Sequence, residues 1–237
     1  MERIIKVDHV CSANEATKLQ RLGVDIIGVY VNAKSKYTNG RKLNFDSIQR
    51  IKDVLESTKL ALEITSDQAN IVELIERFEP AYIQFSDSEI LKDIEQIKEI
   101  EASKVKVIFK GNEASYDDDP SWILSSFLDI ENSKSYIYQI EILTDMENSW
   151  NFFKDECQRY EDELQISDIN KLGEQFPLLI SLDFTSENIV EISKSFPSIL
   201  GMSFTLSGNR DSNSAHYLSY ESMIEILEHL KLTNSVI

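Results

Sequence analysis

The run of residues 22–51 constrains the fold more than any other feature of the chain. Its first part, LGVDIIGVYV, is nearly all apolar, as expected of a strand that is buried on both faces of a parallel sheet. A polar loop follows, and then an amphipathic helix with Ile48, Ile51 and Val54 on one face. This strand–loop–helix order recurs about eight times over 237 residues. The repeat predicts an α/β fold, a single (β/α)8 TIM barrel.

The strand-like runs are regularly spaced, and no linker separates them, so we expect residues 1–237 to form one domain. The eight predicted strands are residues 4–8, 24–31, 59–64, 81–85, 105–110, 135–143, 178–184 and 200–206. An acidic segment at residues 145–165 predicts an extra helix or lid after strand six. Helices are also expected at residues 87–100 and 122–128. Because barrel enzymes carry their chemistry in the loops after the strands, residues at the strand ends are the candidates for function.

The charge of the chain restricts its partners. The formal net charge is −17, from 24 basic and 41 acidic residues. Such a surface repels phosphate backbones and anionic lipid, so we expect neither nucleic acid nor membrane as a partner. A small-molecule substrate that carries phosphate would need local positive charge inside the site.

The cysteines and the first residues of the chain bear on redox state and location. Cys11 and Cys157 do not fit a metal-binding spacing, and two cysteines are too few for a disulfide framework. No apolar signal region follows Met1, and no apolar run approaches a membrane span. We therefore expect a cytoplasmic protein, monomeric or homodimeric, without metal or cofactor.

Several segments resemble phosphoribosylanthranilate isomerase, a barrel enzyme of tryptophan biosynthesis. KVDHVC at residues 6–11 stands where the family has K-I-C-G-I-T, and GVDIIG at 23–28 is similar to its second strand. IQFSDSE at 83–89 resembles V-Q-L-H-G-D-E, and ISLDFTSENI at 180–189 resembles the seventh strand and its loop. The order and spacing of these segments carry the resemblance over nearly the whole chain.

The resemblance implies an intramolecular aldose–ketose isomerase that performs an Amadori rearrangement. In that reaction an acid protonates the ribose ring oxygen, and a base removes the C2 proton of the resulting Schiff base. Asp8 replaces the catalytic cysteine of the family and is the expected base, and a charge at a helix N-terminus or a salt bridge with a barrel lysine is the alternative role. Glu141 is the best match for the family's acid at the end of strand six, and Gln139 is the other candidate.

The same resemblance implies the substrate-binding residues. Arg41 matches the arginine that holds the anthranilate carboxylate, a bidentate task suited to guanidinium. Gln84 lies on a buried strand, and its side chain has two alternative roles, a contact with the ligand or a hydrogen bond within the core. Phosphate would be held by backbone N–H groups near Ser207 and Gly208, with Arg210 next to them.

This sequence departs from the family around that phosphate site. Asp183 stands where the family has paired glycines, and a carboxylate there repels phosphate. Two other functions therefore stay open. One is a diverged barrel acting as a different isomerase or lyase, and the other is a non-catalytic binding or scaffold protein that lost the site.

The remaining candidates receive simpler interpretations. His9 follows Asp8, and neighbours on a strand point to opposite faces, so His9 is expected outside the site unless the strand has ended. Lys34 is open between a solvated charge and a ligand contact. His216 and His229 are expected in a loop and on a helix surface, and Cys11 as a small, partly buried residue.

Overall fold

The computed structural model describes residues 3–31, 41–64, 70–85, 100, 102–118, 121, 123, 136–144, 146–207 and 216–234. The predicted helices at 87–100 and 122–128 lie largely or wholly outside these ranges, and so do Lys34, Gly208 and Arg210.

Within the described ranges, eight parallel strands close into a barrel and two short strands join it. The strands are β1 (Ile4–Asp8), β2 (Ile26–Val31), β3 (Lys42–Leu43), β4 (Lys59–Ile64), β5 (Tyr82–Phe85), β6 (Lys106–Ala114), β7 (Ile137–Ile142), β8 (Leu178–Ser181), β9 (Gly201–Leu206) and β10 (Tyr217–Leu218). The order is β1-β2-β4-β5-β6-β7-β8-β9, and β9 pairs back to β1 with Asp8 opposite Thr205. The two-residue strands β3 and β10 pair in parallel with β2 and β9, respectively. The predicted (β/α)8 fold is confirmed.

Helices follow the strands on the outside of the barrel. They are α1 (Ala13–Arg21), α2 (Phe45–Lys52), α3 (Ile71–Phe78), α4 (Ser149–Asp155), α5 (Ile166–Gln175), α6 (Ile189–Ser195) and α7 (Tyr220–Asn234). The side chains of Ser12, Asn44 and Asn70 accept hydrogen bonds from first-turn N–H groups and so fix where the first three helices begin. An extra helix follows the sixth barrel strand, as predicted. This helix, α4, lies between that strand and the crossover helix α5.

The barrel has two separate apolar layers. The larger one lies between the strands and the helices. The smaller one lies inside the barrel and consists of Ile26, Ala61, Ile108, Ile137 and Leu179. Since side chains alternate along a strand, the residues two positions further along most of these strands also face inward, and these are polar.

The strand bounds differ from the prediction in two places that matter for the site. The fifth barrel strand, β6, continues past Lys110 to Ala114, with a shift in register between Lys110 and Asn112. The seventh, β8, ends at Ser181 because the N–H of Phe184 bonds to the carbonyl of Leu182 in a tight turn. The short strands β3 and β10 were not predicted.

Candidate active site

Polar side chains fill the barrel interior toward the carboxyl ends of the strands. Each comes from an inward-facing strand position, which is why they converge although they are far apart in sequence. They are Lys6, Asp8, Glu63, Gln84, Lys110, Gln139, Glu141, Ser203 and Thr205. Carboxylates, ammonium groups and amides thus occupy a region where a stable barrel would otherwise bury aliphatic side chains.

Asp8 is the most connected of these groups. Its Oδ2 atom accepts hydrogen bonds from the ammonium of Lys6, from Gln84 Nε2 at 3.4 Å, and from Gln139 Nε2 and Ser203 Oγ at 3.5 Å. The side chains of Asp8 and Lys6 are both 0% exposed. Burial lowers the pKa of Lys6, and the adjacent carboxylate of Asp8 opposes that shift. Asp8 and Lys6 thus form a buried salt bridge, and three further side chains donate hydrogen bonds to Asp8.

Gly28 makes room for that carboxylate. Oδ1 of Asp8 has no hydrogen-bond partner among the described residues and lies directly against the backbone of Gly28. A Cβ atom at position 28 would collide with Oδ1. The glycine of the second strand is thus the neighbour that lets an aspartate occupy the end of β1.

Glu63 connects this interior group to the mouth of the barrel. Its Oε2 atom accepts a hydrogen bond from Gln84 Nε2 at 3.1 Å and lies 3.3 Å from His9 Nε2. Burial by itself would raise the pKa of Glu63, but Lys110, His9 and Lys6 outweigh burial and hold the pKa well below its usual range. Glu63 is consequently an ionised carboxylate at neutral pH.

Lys110 lies between two carboxylates. Its Nζ atom is 3.3 Å from Oε1 of Glu141, and the two side chains are 12% and 15% exposed. Burial disfavours the charge of Lys110, but Glu63, Glu141 and Asp8 outweigh it and raise the pKa above that of free lysine. Burial also raises the pKa of the nearby Tyr217, which therefore stays a phenol and a donor. Glu141, Lys110 and Tyr217 form the partly exposed side of the site.

His9 lies in the site, contrary to the expectation from strand alternation. Strand β1 ends at Asp8, and His9 adopts a left-handed backbone with φ of 61°, which turns its side chain toward Glu63. The imidazole stacks on the ring of Tyr30, with centroids 5.5 Å apart, and lies 6.3 Å from the ring of Tyr217. Because β1 ends at Asp8, the rule that neighbouring strand residues point to opposite faces does not apply to His9.

Arg41 connects the loops after the first and last barrel strands. Its Nε atom donates to the carbonyl of Ser207 at 2.7 Å, and Nη1 donates to the carbonyl of His9 at 2.9 Å. Nη1 and Nη2 also contact the two carboxylate oxygens of Glu15 at 3.1 and 3.2 Å. The guanidinium that was expected to hold a substrate carboxylate thus makes its bidentate contact with Glu15. Whether it also contacts a ligand stays a prediction.

Asp183 binds the helix that follows β7. Its Oδ1 atom accepts hydrogen bonds from Ser149 Oγ at 2.7 Å and from the N–H of Trp150 at 2.8 Å. Ser149 Oγ is in turn 3.2 Å from His216 Nε2, and both residues are buried. The carboxylate of Asp183 therefore accepts from the hydroxyl of Ser149 and from the N–H of Trp150, at the start of α4.

The structure thus brings some of the predicted residues together and not others. Asp8 and Gln84 are in contact, and Arg41 meets Ser207, while Asp183 belongs to a separate group with Ser149. Gly208 and Arg210 lie outside the described residues. Cys157 is buried, and burial raises the pKa of its thiol to about 12, so it is not a nucleophile at neutral pH.

Lys6, Glu63 and Lys110 belong to the site and were not selected from the sequence. A signal for them existed, because each is a charged residue at an inward position of an otherwise apolar strand. For His9 the sequence held no such signal, since its orientation depends on where β1 ends.

The described ranges contain neither a metal-binding cluster nor a membrane-spanning helix. No three His, Cys, Asp or Glu side chains there are grouped so as to hold a metal ion. None of the helices in those ranges is long and apolar enough to cross a bilayer.

The fold and the site together define a class of protein, the (β/α)8 barrels whose ionisable groups converge at the carboxyl ends of the strands, where barrel enzymes have their active sites. Solved structures with this fold include phosphoribosylanthranilate isomerase from Thermotoga maritima, at a TM-score of 0.66 and 14% identity, over 97% of this chain and 99% of that one. The isomerase from Pyrococcus furiosus has a TM-score of 0.58 and 14% identity, over 98% and 100%.

A further isomerase structure contains reduced 1-(o-carboxyphenylamino)-1-deoxyribulose 5-phosphate and has a TM-score of 0.65 at 13% identity, over 97% of this chain and 99% of that one. A phospho-2-dehydro-3-deoxyheptonate aldolase from Thermotoga maritima also shares the fold, at a TM-score of 0.58 and 13% identity, over 99% of this chain and 69% of that one. The sequence matches no protein-family model and no curated protein. At these identities the similarity establishes the fold.

Proposed function

We propose that the protein is an intramolecular aldose–ketose isomerase that acts on a phosphoribosylanthranilate-type substrate in tryptophan biosynthesis. The observation that carries this proposal is the presence of two carboxylates at the mouth, Glu63 beside His9 and Glu141 beside Lys110. The two carboxylates lie on strands β4 and β7, with β5 and β6 between them. An Amadori rearrangement needs an acid and a base that reach the substrate from different sides.

Glu141 is the proposed acid that protonates the ribose ring oxygen, and Lys110 is the cation beside it. Both side chains are partly exposed at the mouth, so a bound ligand can contact them. Ring opening then gives a Schiff base, and a base at the end of β1 removes the C2 proton. The sequence assigns that base to Asp8.

Substrate binding is proposed for the residues that the resemblance implies. These are Arg41, Gln84, Ser207, Gly208 and Arg210, with Asp183 limiting how phosphate is held. The related isomerase structure with a deoxyribulose phosphate bound supports an anionic small molecule as the ligand. The description of a Thermotoga maritima isomerase as dimeric supports a homodimer as one of the two proposed assemblies, the other being a monomer. A cytoplasmic location follows from the proposed pathway.

A scaffold protein that lost its site is a weaker alternative. Such a protein would be expected to plug the strand ends with Phe184, Phe204 and the Trp150 segment. Instead, these three aromatic residues belong to the apolar layer between strands and helices, and the rings of Phe184 and Phe204 pack 4.7 Å apart. The barrel interior keeps its inward carboxylates, which favours an enzyme.

Complementation of a tryptophan auxotroph that lacks phosphoribosylanthranilate isomerase tests the proposal. We expect the wild-type chain to restore growth without tryptophan and Glu141→Gln to fail at equal expression. Glu147→Gln alters an exposed glutamate and serves as the matched control. Failure of the wild-type chain to restore growth, despite soluble expression, would shift the proposal to a diverged isomerase or lyase.

A further inference from the structure

The backbone at the end of β1 holds His9 in one orientation. The φ of 61° is uncommon for a residue other than glycine, and such conformations persist where surrounding contacts fix them. Here the N–H of Val10 bonds to the carbonyl of Gly28 at 3.1 Å, and Arg41 bonds to the carbonyl of His9 at 2.9 Å. Contacts on both sides of the peptide thus fix the position of the imidazole.

The surroundings of the imidazole set its chemistry. On one side Nε2 lies 3.3 Å from Oε2 of Glu63, a carboxylate that is 6% exposed. On the faces of the ring lie Tyr30 and Tyr217, both half-buried. Because Nε2 faces the Glu63 carboxylate, Nδ1 is the ring atom left to take a proton from a ligand.

Asp8 differs from His9 in its access to a ligand. The carboxylate of Asp8 is 0% exposed, and Oδ2 already accepts from four protein donors, whereas the His9 side chain is 15% exposed. A substrate that reaches the mouth meets His9 before it meets Asp8. Asp8 was predicted to be the base, but the adjacent His9 is more accessible to a ligand.

We infer that His9, oriented by Glu63, is the general base of this site and that Asp8 is a positioning residue. This inference rests on the proposed function and assigns one of its roles. Nδ1 of His9 takes the proton from C2 of the ring-opened Schiff base. The electrons of that C–H bond form the C1=C2 bond, the electrons of C1=N move to nitrogen, and the product is the enolamine. Its tautomerisation gives the ketose, and His9 returns the proton to solvent.

The inference also gives Arg41 a role. By bonding to the carbonyl of His9 while it contacts Glu15 and Ser207, Arg41 fixes the peptide that aims the imidazole. Arg41 is then a positioning residue for the base. Its substitution by lysine, which has no planar fork, should lower kcat more than it raises KM.

The test measures turnover of N-(5′-phosphoribosyl)anthranilate by wild type, His9→Asn and His9→Ala, with the exposed His229→Asn as control. We expect kcat to fall by about 10²–10⁴ in both His9 variants and to be unchanged in His229→Asn. Added imidazole should restore part of the activity of His9→Ala. Turnover of His9→Asn within a few-fold of wild type overturns the inference alone. No turnover by the wild type overturns the proposed function, and this inference with it.

A second measurement avoids variants that fail to fold. Wild-type protein is treated with diethyl pyrocarbonate, and modification of His9 is followed by mass spectrometry beside turnover. We expect activity to fall in step with modification of His9. Reduced 1-(o-carboxyphenylamino)-1-deoxyribulose 5-phosphate should slow both the modification and the loss of activity. Full activity after complete modification of His9 overturns the inference.

The pH profile separates a base from a structural residue. The Glu63 carboxylate lies 3.3 Å from Nε2 of His9, and the rings of Tyr30 and Tyr217 lie beside the imidazole. In Glu63→Gln the acidic limb of kcat/KM should therefore move to lower pH, in addition to any loss of rate. An unmoved limb in an active Glu63→Gln variant contradicts the dyad.

Discussion

The Nζ atom of Lys110 lies 3.3 Å from Oε1 of Glu141 and links neighbouring strands β6 and β7 across the mouth of the site. If Glu141 supplies the proton for ring opening, Glu141→Gln should lower kcat by about 10²–10⁴ with a smaller effect on KM. Lys110→Met should also be impaired, because it leaves Glu63 and Glu141 without their shared cation. Steady-state kinetics measure both, with Glu147→Gln as control. A Glu141→Gln enzyme that turns over within a few-fold of wild type would remove Glu141 from the mechanism.

Glu63 should make stability depend on pH in a defined direction. Its pKa in the folded protein is lowered below the value of about 4.3 that an unperturbed glutamate has. The stabilisation by its ionised form is thus fully present above that pH and is lost as the pH falls toward the folded-state pKa. Near neutral pH, Glu63→Gln should cost about 3–5 kcal/mol, because it removes a buried carboxylate whose charge stabilises the ammonium of Lys110.

Thermal unfolding from pH 7 to pH 3 measures this dependence. The gap between wild type and Glu63→Gln should be constant near pH 7 and should begin to narrow below about pH 4. Glu76→Gln changes an exposed glutamate and should show no gap. A gap of constant size across the range would show that the loss is one of packing and not of charge.

Gly28 and Asp8 should show strong coupling. Gly28→Ala places a methyl group where Oδ1 of Asp8 lies, and we expect it to cost about 1–3 kcal/mol, as overpacking does. In an Asp8→Ala background the collision disappears, so the second substitution should cost much less. Urea unfolding of the four proteins in a double-mutant cycle measures the coupling. Additive effects would show that the two residues do not constrain each other.

Phosphate should bind weakly. Asp183 occupies Ser149 Oγ and the N–H of Trp150, and a carboxylate at about 4 Å opposes an anion by roughly 4 kcal/mol at an effective dielectric of 20. Calorimetric titration measures the binding of inorganic phosphate, with the reduced deoxyribulose phosphate as a second ligand. The affinity for inorganic phosphate should be no better than millimolar. Micromolar phosphate binding that vanishes in Arg210→Ala would show a site rebuilt around that arginine. Micromolar binding that is indifferent to Arg210 would refute the assignment of repulsion to Asp183.

The barrel could be predicted from the sequence because each strand is marked by its own apolar residues. Asp8 could be selected because it ends the first strand where the family has its catalytic residue, and Gln84 because it lies on a buried strand. The orientation of His9 could not be predicted, because it depends on a φ of 61° and on a hydrogen bond from Arg41, which is 32 residues away. Nor could the pairing of Asp183 with Ser149, since two loops 34 residues apart in the chain meet only after the barrel has closed.

The central claim is that the charged groups at the mouth of this barrel catalyse an isomerisation. The most direct test is the turnover of N-(5′-phosphoribosyl)anthranilate by the purified wild-type chain, followed as formation of the deoxyribulose product, beside Glu141→Gln at the same concentration. We predict saturable turnover by the wild type and a loss of about 10²–10⁴ in the variant. A wild-type rate equal to that of buffer alone, from folded protein, would contradict the account.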